Sequence, residues 1–215
     1  MDKVQTIQTK DYIIQEIRRE ILSGKMTPGE EITQEGIASQ LGVSRMPVRE
    51  AFQVLEQEGF LLRLQNRHMK VAEMKKKHII EIFYMVGIFE TELFSYMNTY
   101  EKEKLINELE VLCFKSERME QVEFFNKELI FHQNAGAVLN NPYINPSYMS
   151  FLNSFVSYAI FFVSREKEEV LEQLKEIIRT INLKDRELLK EKLLIYYKSM
   201  ADHLLKSLEK VHEHK

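Results

Sequence analysis

Two arginines four residues apart, Arg45 and Arg49, are the side chains in this sequence whose type and spacing suggest a specific chemistry. If this stretch is helical, residues at positions i and i+4 lie on one face, so both guanidinium groups project together. A guanidinium group can donate two parallel hydrogen bonds to a guanine edge, and it can also bind a phosphate. The pair therefore predicts contacts to DNA, provided that the surrounding elements present it at the surface.

A helix-turn-helix between Thr33 and Gly59 is predicted to present this pair. Thr33 can cap the first helix with its hydroxyl group. Gly42 can take the left-handed conformation that ends this helix, and Ser44 is a candidate cap for the second helix. The second helix would pack through an apolar face that comprises Val48, Ala51, Phe52 and Leu55. An ordinary helical hairpin with a solvated arginine pair would fit the same pattern, so the next segment is decisive.

The residues after the second helix predict a small β-ribbon. Two short apolar or alternating runs, Phe60–Leu64 and Met69–Val71, bracket a polar turn that contains Asn66, Arg67 and His68. Asn66 tolerates the left-handed backbone of a hairpin turn, so the ribbon would have a basic tip. A helix-turn-helix followed at once by such a ribbon is a winged helix. Arg67 and His68 would then face phosphates or a minor groove.

Four motifs in this region are similar to those of a known protein family: ILSGKMTPGE at 21–30, LGVSR at 41–45, PVREA at 47–51 and LxxEG at 55–59. Over about residues 9–72 they resemble, nearly letter for letter, the DNA-binding domain of GntR-type bacterial transcription regulators. At the wing tip the family usually has a Gly-rich turn, where this chain has Asn66-Arg67-His68. The resemblance implies sequence-specific DNA binding, for which the expected contact residues are Thr33, Gln34, Ser44, Arg45, Arg49, Arg67 and His68.

Length and composition indicate a soluble, mostly helical protein of one or two domains. Of the 215 residues, 44% are apolar and 29% are charged, and only seven are glycine and four proline. The single cysteine cannot form an internal disulfide, and no leader or membrane-length apolar segment is visible, so a cytoplasmic location is expected. Residues 1–72 are balanced in charge, but residues 61–77 hold six Lys or Arg against one Glu. That local excess predicts a basic surface that faces DNA.

From His78 onward the apolar periodicity predicts only helices. They are expected at 78–98, 101–119, 122–139, 143–164, 166–181 and 184–212, with a break at Asn140-Asn141-Pro142. The predicted fold class is mainly α: an N-terminal winged helix-turn-helix with a small β-wing, and a C-terminal all-α helical bundle of about six helices. The two domains are placed at 1–73 and 74–215.

Three segments of the helical part carry a looser resemblance: Phe131-His132 with the break at 140–142, Ile177–Asp185, and Met200–Leu204. They resemble the FadR-like subgroup of the same family, whose C-terminal domain is all-helical (FCD-type). This resemblance implies that residues 74–215 bind a small-molecule effector and form a homodimer.

Many members of this subgroup bind a metal through one Asp and three His residues, whose nitrogen and oxygen ligands suit a divalent ion. Position by position, three ligands fall on Glu128, His132 and His203, while Leu174 stands where the fourth is expected. A Glu–His pair at i, i+4 is by itself more often solvated or satisfied in a core than bound to a metal. The cofactor therefore stays unknown, and the missing ligand argues against a divalent metal.

The expected effector-binding residues are Tyr84, Val86 and Phe89, since the family often has an arginine for a ligand carboxylate where Val86 stands. An apolar residue at that place favours an effector with hydrophobic bulk, or a lost sensing role. The alternative is an ordinary core stripe, because methionine and aromatic side chains most often fill cores.

Together these features predict a homodimeric, sequence-specific DNA-binding regulator, with repression favoured. Two-fold symmetry would require a palindromic operator in double-stranded DNA. A non-enzyme without a membrane partner is expected, because no nucleophile with its base, phosphate loop or paired-carboxylate site is recognisable. Two other classes stay open: a metal-dependent enzyme that uses Glu128, His132 and His203, and a winged helix that makes only protein contacts.

Overall fold

The computed structural model describes residues 9–138 and 141–213, which fall into two compact units. Of these residues, one unit comprises 9–75 together with 208–213, and the other comprises those within Lys76–Ser207. The predicted helix end at Leu139 and the start of the predicted break at Asn140 lie outside the described residues.

The first unit contains three short strands among its helices. Its described elements are α1 (Thr9–Leu22), β1 (Glu31–Ile32), α2 (Gln34–Leu41), α3 (Arg45–Gln57), β2 (Leu61–Arg63) and β3 (Met69–Val71). The sheet order is β1-β3-β2 with both pairings antiparallel, and Lys70 lies opposite both Glu31 and Leu62. The predicted wing, and the winged helix-turn-helix that it completes, are confirmed.

Helices α1 and α3 pack together at the centre of this unit. The fully buried side chains that they contribute include Ile13, Ile17, Val48, Phe52 and Leu55. An ion pair between Arg18 and Glu58 joins α1 to the residue that follows α3, with Nε–Oε2 at 2.9 Å. Helix α1 ends at Leu22, because Gly24 takes a φ of 72° and leaves the helical conformation.

The elements in the described part of the second unit are all helices. Its helices are α4 (Lys76–Tyr96), α5 (Thr99–Lys115), α6 (Gln121–Val138), α7 (Asn145–Phe151), α8 (Ser157–Phe162), α9 (Lys167–Leu183) and α10 (Arg186–Glu213), which continues past Ser207. A π-helical segment, Leu152–Val156, joins α7 to α8. With α7 and α8 counted as one interrupted helix, the predicted bundle of about six helices and the mainly α fold class are confirmed.

The most apolar stretch of the sequence, Phe151–Val163, lies in this interrupted helix. Its buried side chains include Phe155, Val156, Ala159 and Ile160, so it contributes to the core of the helical unit. No helix in the described part of the chain combines the length and apolar content that a bilayer crossing requires.

Candidate nucleic-acid interface and a buried polar network

The turn between α2 and α3 has the local geometry that the residue types predict. The hydroxyl oxygen of Thr33 accepts a hydrogen bond from the amide of Gly36 at 3.0 Å, which caps α2. Gly42 ends α2 with a φ of 66°, a conformation that costs glycine no steric penalty. Ser44 occupies the cap position of α3, but its side chain makes no capping hydrogen bond. Helix α2 therefore begins as predicted, whereas the expected cap by the Ser44 hydroxyl group is not formed.

The start of α3 presents both arginines on the surface. Arg45 and Arg49 are exposed, while the opposite face of α3 is buried against α1. The Nη2 atom of Arg45 donates to Glu35 at 2.7 Å, and the Nη2 atom of Arg49 donates to the sulfur of Met46 at 3.1 Å. Both guanidinium groups are thereby held by a neighbouring side chain.

The first turn of α3 contains no acidic residue. The free amide groups and the dipole of a helix start favour an anion, so a phosphate would meet no local repulsion from this turn. Thr33 and Gln34 are half-buried at the start of α2, and the side chain of Thr33 already accepts the capping hydrogen bond from Gly36. The hydroxyl group of Ser44 is therefore better placed than that of Thr33 to bind a phosphate.

The wing tip differs from its prediction in one respect. Arg67, and not Asn66, takes the left-handed conformation, with a φ of 66°. The side chain of Asn66 instead accepts a hydrogen bond from the amide of His68 at 3.0 Å, which stabilises the turn. Arg67 is exposed at the tip, while His68 lies 3.4 Å from Glu31. The structure thus presents Arg67 to solvent and places His68 beside a carboxylate.

The helical unit encloses a cluster of polar and charged side chains that composition does not reveal. Its members are Glu90, Glu128, His132, Tyr148, Arg165, Tyr196 and Tyr197, and all of them are buried. We call this set the buried polar network. Only two of its members, Glu128 and His132, are among the predicted site residues.

An ion pair forms one half of the buried polar network. Arg165, from the segment between α8 and α9, donates to both carboxylate oxygens of Glu128, at 2.7 and 3.2 Å. Only 4% of Arg165 is exposed. Burial disfavours its charged form, but the Glu128 carboxylate and Tyr196 together raise the pKa of the guanidinium group above its ordinary value. Arg165 is therefore a permanent cation inside the helical unit.

His132 connects this ion pair to the other half of the network. Its Nδ1 atom lies 2.9 Å from an oxygen of Glu90, and its Nε2 atom lies 2.8 Å from the hydroxyl oxygen of Tyr196. Tyr196 donates its only proton to Glu128, so the Nε2 atom of His132 must be the donor to Tyr196. On the other side of the ring, the Nδ1 atom also lies 3.1 Å from the hydroxyl oxygen of Tyr197.

Tyrosine hydroxyl groups complete the network. Tyr197 donates to Glu90, and Tyr148 donates to the carbonyl oxygen of His132 at 3.3 Å. Burial raises the pKa of Tyr148, Tyr196 and Tyr197 well above the ordinary value, and the nearby carboxylate of Glu90 or Glu128 adds to the effect. The three hydroxyl groups therefore stay protonated and act as donors.

These residues do not fit the metal site that the resemblance suggests. Among the described residues, no group of three or more His, Cys, Asp or Glu side chains could hold a metal ion. His203 bonds to the carbonyl oxygen of Ser199 at 2.8 Å, and it lies seven residues from Tyr196, which is about 10 Å along α10. Leu174 is fully buried. Glu128, His132 and His203 are thus not gathered around one point, and Arg165 neutralises the carboxylate that would have bound the ion.

The three expected effector-binding residues, Tyr84, Val86 and Phe89, do not share one face of α4, and their role stays a prediction. Tyr84 is 51% exposed, whereas Val86 is fully buried. Residues two positions apart on a helix point in nearly opposite directions, so Tyr84 faces away from the core that Val86 enters. Phe89 is half-buried and packs against Tyr148, with ring centroids 6.0 Å apart.

Sequence reasoning missed the other five members of the network, which are Glu90, Tyr148, Arg165, Tyr196 and Tyr197. One signal was present: Glu90 lies at helical spacing from Phe83, Val86 and Phe94, so a carboxylate stands on the apolar face of α4, where a buried charge requires a partner. Its partner lies 42 residues away and no local pattern identifies it.

The comparisons with known proteins agree with the winged-helix geometry. Residues 9–71 match the model of the family described as bacterial regulatory proteins, gntR family. The gluconate operon transcriptional repressors of Bacillus licheniformis and Bacillus subtilis are 26% and 27% identical over 185 residues, which covers 81% of this chain and 76% of theirs. The arabinose metabolism transcriptional repressor of Geobacillus stearothermophilus is 35% identical over 96 residues, 44% of this chain and 26% of its own.

Two solved structures share the fold over almost the whole chain. McbR/YncC of E. coli has a TM-score of 0.61 at 19% identity and covers 94% of this chain and 99% of its own. Lar of Listeria monocytogenes, which controls the expression of the agr system there, has a TM-score of 0.62 at 17% identity and covers 95% and 99%. The family match over residues 9–71, the named relatives and the observed fold together show a DNA-binding transcriptional regulator whose winged helix-turn-helix is of the gntR family.

Proposed function

We propose that this chain is a homodimeric repressor that acts in the cytoplasm and binds a palindromic operator through residues 1–73. The observation that carries the proposal is the start of α3, where Arg45 and Arg49 are exposed together in a helix turn without an acidic residue. Repression is proposed because two relatives that match 81% of this chain are named as repressors. A homodimer would place two copies of α3 on successive turns of one operator.

In this proposal the DNA contacts come from three places. Arg45 and Arg49 bind guanine edges or phosphates, and Ser44 binds a phosphate at the start of α3. Thr33 and Gln34 approach the DNA backbone from the start of α2. Arg67 and His68 approach it from the wing, where Arg67 is the more exposed of the two.

In-vitro selection from a random DNA library tests this function. The wild type is expected to enrich a palindrome, and the variant Arg45→Ala/Arg49→Ala is expected to lose it, because a bidentate arginine–guanine contact is worth about 1–3 kcal/mol. The matched control is Lys175→Ala/Arg179→Ala, which removes two exposed basic side chains with the same spacing from α9. Enrichment of the same palindrome by the Arg45/Arg49 variant would contradict the assignment.

Salt dependence separates DNA reading from a winged helix that serves only protein contacts. Binding through phosphates must weaken steeply as salt increases, since each contact releases counterions. A wild-type dimer that binds no duplex at low salt would contradict the proposed function. Light scattering of the same sample decides the oligomeric state, for which twice the chain mass is expected.

We further propose that residues 74–215 form an effector-binding domain of the FadR-like, FCD-type subgroup. The support is the all-helical second unit and the match to the gluconate operon repressors, which extends well beyond the winged helix. Gluconate and a medium-chain fatty acid are the two probes that the relatives and the apolar α4 suggest. Each probe is titrated into the complex of protein and operator. The probe that lowers the affinity for the operator identifies the chemical class of the effector. An unchanged operator affinity with both would contradict both choices of effector.

A further inference from the structure

Met46 is a large apolar side chain in an unusual place. It lies in the first turn of α3 between the two exposed arginines, and 56% of it is exposed. On the opposite face of this helix, Val48, Phe52 and Leu55 are fully buried. Met46 therefore contributes little to the core, and it occupies the part of α3 that the proposed function places in the major groove.

The sulfur of Met46 accepts a hydrogen bond from Arg49. The Nη2 atom of Arg49 donates to it at 3.1 Å, so the thioether and the guanidinium group lie side by side on the exposed face. Successive base pairs of DNA are stacked about 3.4 Å apart along each strand. Two groups at this separation can thus contact neighbouring bases.

The major groove offers one apolar group to a side chain, which is the C5-methyl group of thymine. A methionine side chain is flexible and polarisable, and it can adapt to such a methyl group without a hydrogen bond. The other groups on the base edges are hydrogen-bond donors and acceptors, so they offer no comparable contact to an apolar side chain.

We propose that Met46 is a specificity-determining residue that contacts the methyl group of a thymine next to the base bound by Arg49. This inference rests on the proposed function, because it requires that α3 enters the major groove. It assigns the chain a preference for thymine at one position of each half-site. Burial of one methyl group is worth about a fourfold change in affinity.

The test removes the methyl group from the DNA and the thioether from the protein. Each thymine in one half-site of the selected operator is replaced in turn by deoxyuridine, which lacks only the C5-methyl group. Dissociation constants are measured by fluorescence anisotropy for the wild type and for Met46→Ala. The wild type is expected to lose about fourfold in affinity at one thymine, and Met46→Ala is expected to bind both duplexes equally.

Leu62→Ala is the matched control, because Leu62 is 48% exposed on the wing of the same unit. It is expected to keep the discrimination between thymine and deoxyuridine. Equal binding of all duplexes by the wild type would overturn the inference, and so would a Met46→Ala protein that still discriminates. Either result leaves operator binding intact, whereas failure of the proposed function would appear as an operator bound equally well without Arg45 and Arg49.

Discussion

Arg165 and Glu128 form a two-point ion pair inside the helical unit, although 37 residues separate them in the chain. The pair joins the segment between α8 and α9 to the middle of α6. Lys167, at the start of α9, adds a second connection nearby, because its Nζ atom donates to the carbonyl oxygen of Met119, just before α6, at 3.0 Å. The position of this segment is thus decided by charge as well as by apolar packing.

Loss of Arg165 is expected to destabilise the protein strongly. The variant Arg165→Met leaves the Glu128 carboxylate buried without its cation, and breaking a buried pair in this way costs about 3–5 kcal/mol. The free energy of unfolding is measured from urea transitions followed by circular dichroism. Arg186→Met is the control, since Arg186 pairs with Glu92 on the exposed surface and its loss is expected to change little.

The double variant Arg165→Met/Glu128→Gln tests whether the unpaired charge is the cause. Removal of both charges leaves no isolated ion in the core, so this protein is expected to be more stable than Arg165→Met alone. A double variant that is as unstable as the single one would attribute the loss to packing around Arg165.

Stability is expected to decrease at high pH because of the buried tyrosines. The pKa values of Tyr148, Tyr196 and Tyr197 are raised well above the ordinary value of 10 by burial. Above pH 10 the unfolded chain loses these protons while the folded protein keeps them, so unfolding becomes more favourable as the pH rises. The contribution of these tyrosines to the free energy of unfolding is fully present below pH 10 and is lost progressively above it.

Urea unfolding at a series of pH values from 8 to 11 measures this effect. Each protected tyrosine adds a slope of about 1.4 kcal/mol per pH unit above pH 10. Tyr197→Phe is expected to reduce the slope, whereas Tyr100→Phe removes a hydroxyl group that is already in solvent and serves as the control. An unchanged slope in Tyr197→Phe would show that its hydroxyl group titrates normally in the folded protein.

Glu35 is expected to limit the affinity of the winged helix for DNA. Its carboxylate accepts a hydrogen bond from Arg45 at 2.7 Å, on the surface proposed to face phosphates. In Glu35→Gln the guanidinium group is released and one negative charge is removed. Affinity for non-specific duplex at low salt is then expected to rise roughly twofold to fivefold, the range of an exposed ion pair.

A salt titration of DNA binding provides the measurement. The slope of log K against log salt concentration should steepen by about 0.9 for each additional phosphate that the protein neutralises. Glu50→Gln makes the same charge change at an exposed position of α3, and it is expected to raise the affinity for DNA by less. Equal increases in affinity for the two variants would mean that only net charge matters.

Divalent metals are not expected to stabilise this protein. The potential ligands Glu128 and His132 are already paired with Arg165 and Glu90, and His203 has a different partner. Thermal unfolding with EDTA, with Zn²⁺ and with Mn²⁺ should therefore give the same midpoint, and elemental analysis should find no stoichiometric metal. A midpoint that a metal raises in the wild type, but not in His132→Ala, would contradict this prediction.

Local sequence signals determined the winged helix. The cap at Thr33, the glycine at Gly42 and the apolar spacing from Val48 to Leu55 act within a few residues, so their outcome could be predicted from the chain itself. The same holds for the helical character of the second unit. A prediction of this kind failed at the wing tip, where Arg67, and not Asn66, takes the left-handed conformation.

Only the tertiary structure decided the centre of the helical unit. The contact between Tyr197 and Glu90 spans 107 residues, and that between Tyr196 and Glu128 spans 68. No periodicity within a helix encodes such partners, because they depend on how separate helices are arranged. The family resemblance suggested a metal ligand at Glu128, and packing brought Arg165 to it instead. A buried carboxylate must be neutralised, and the fold places a guanidinium group of the chain itself where it does so.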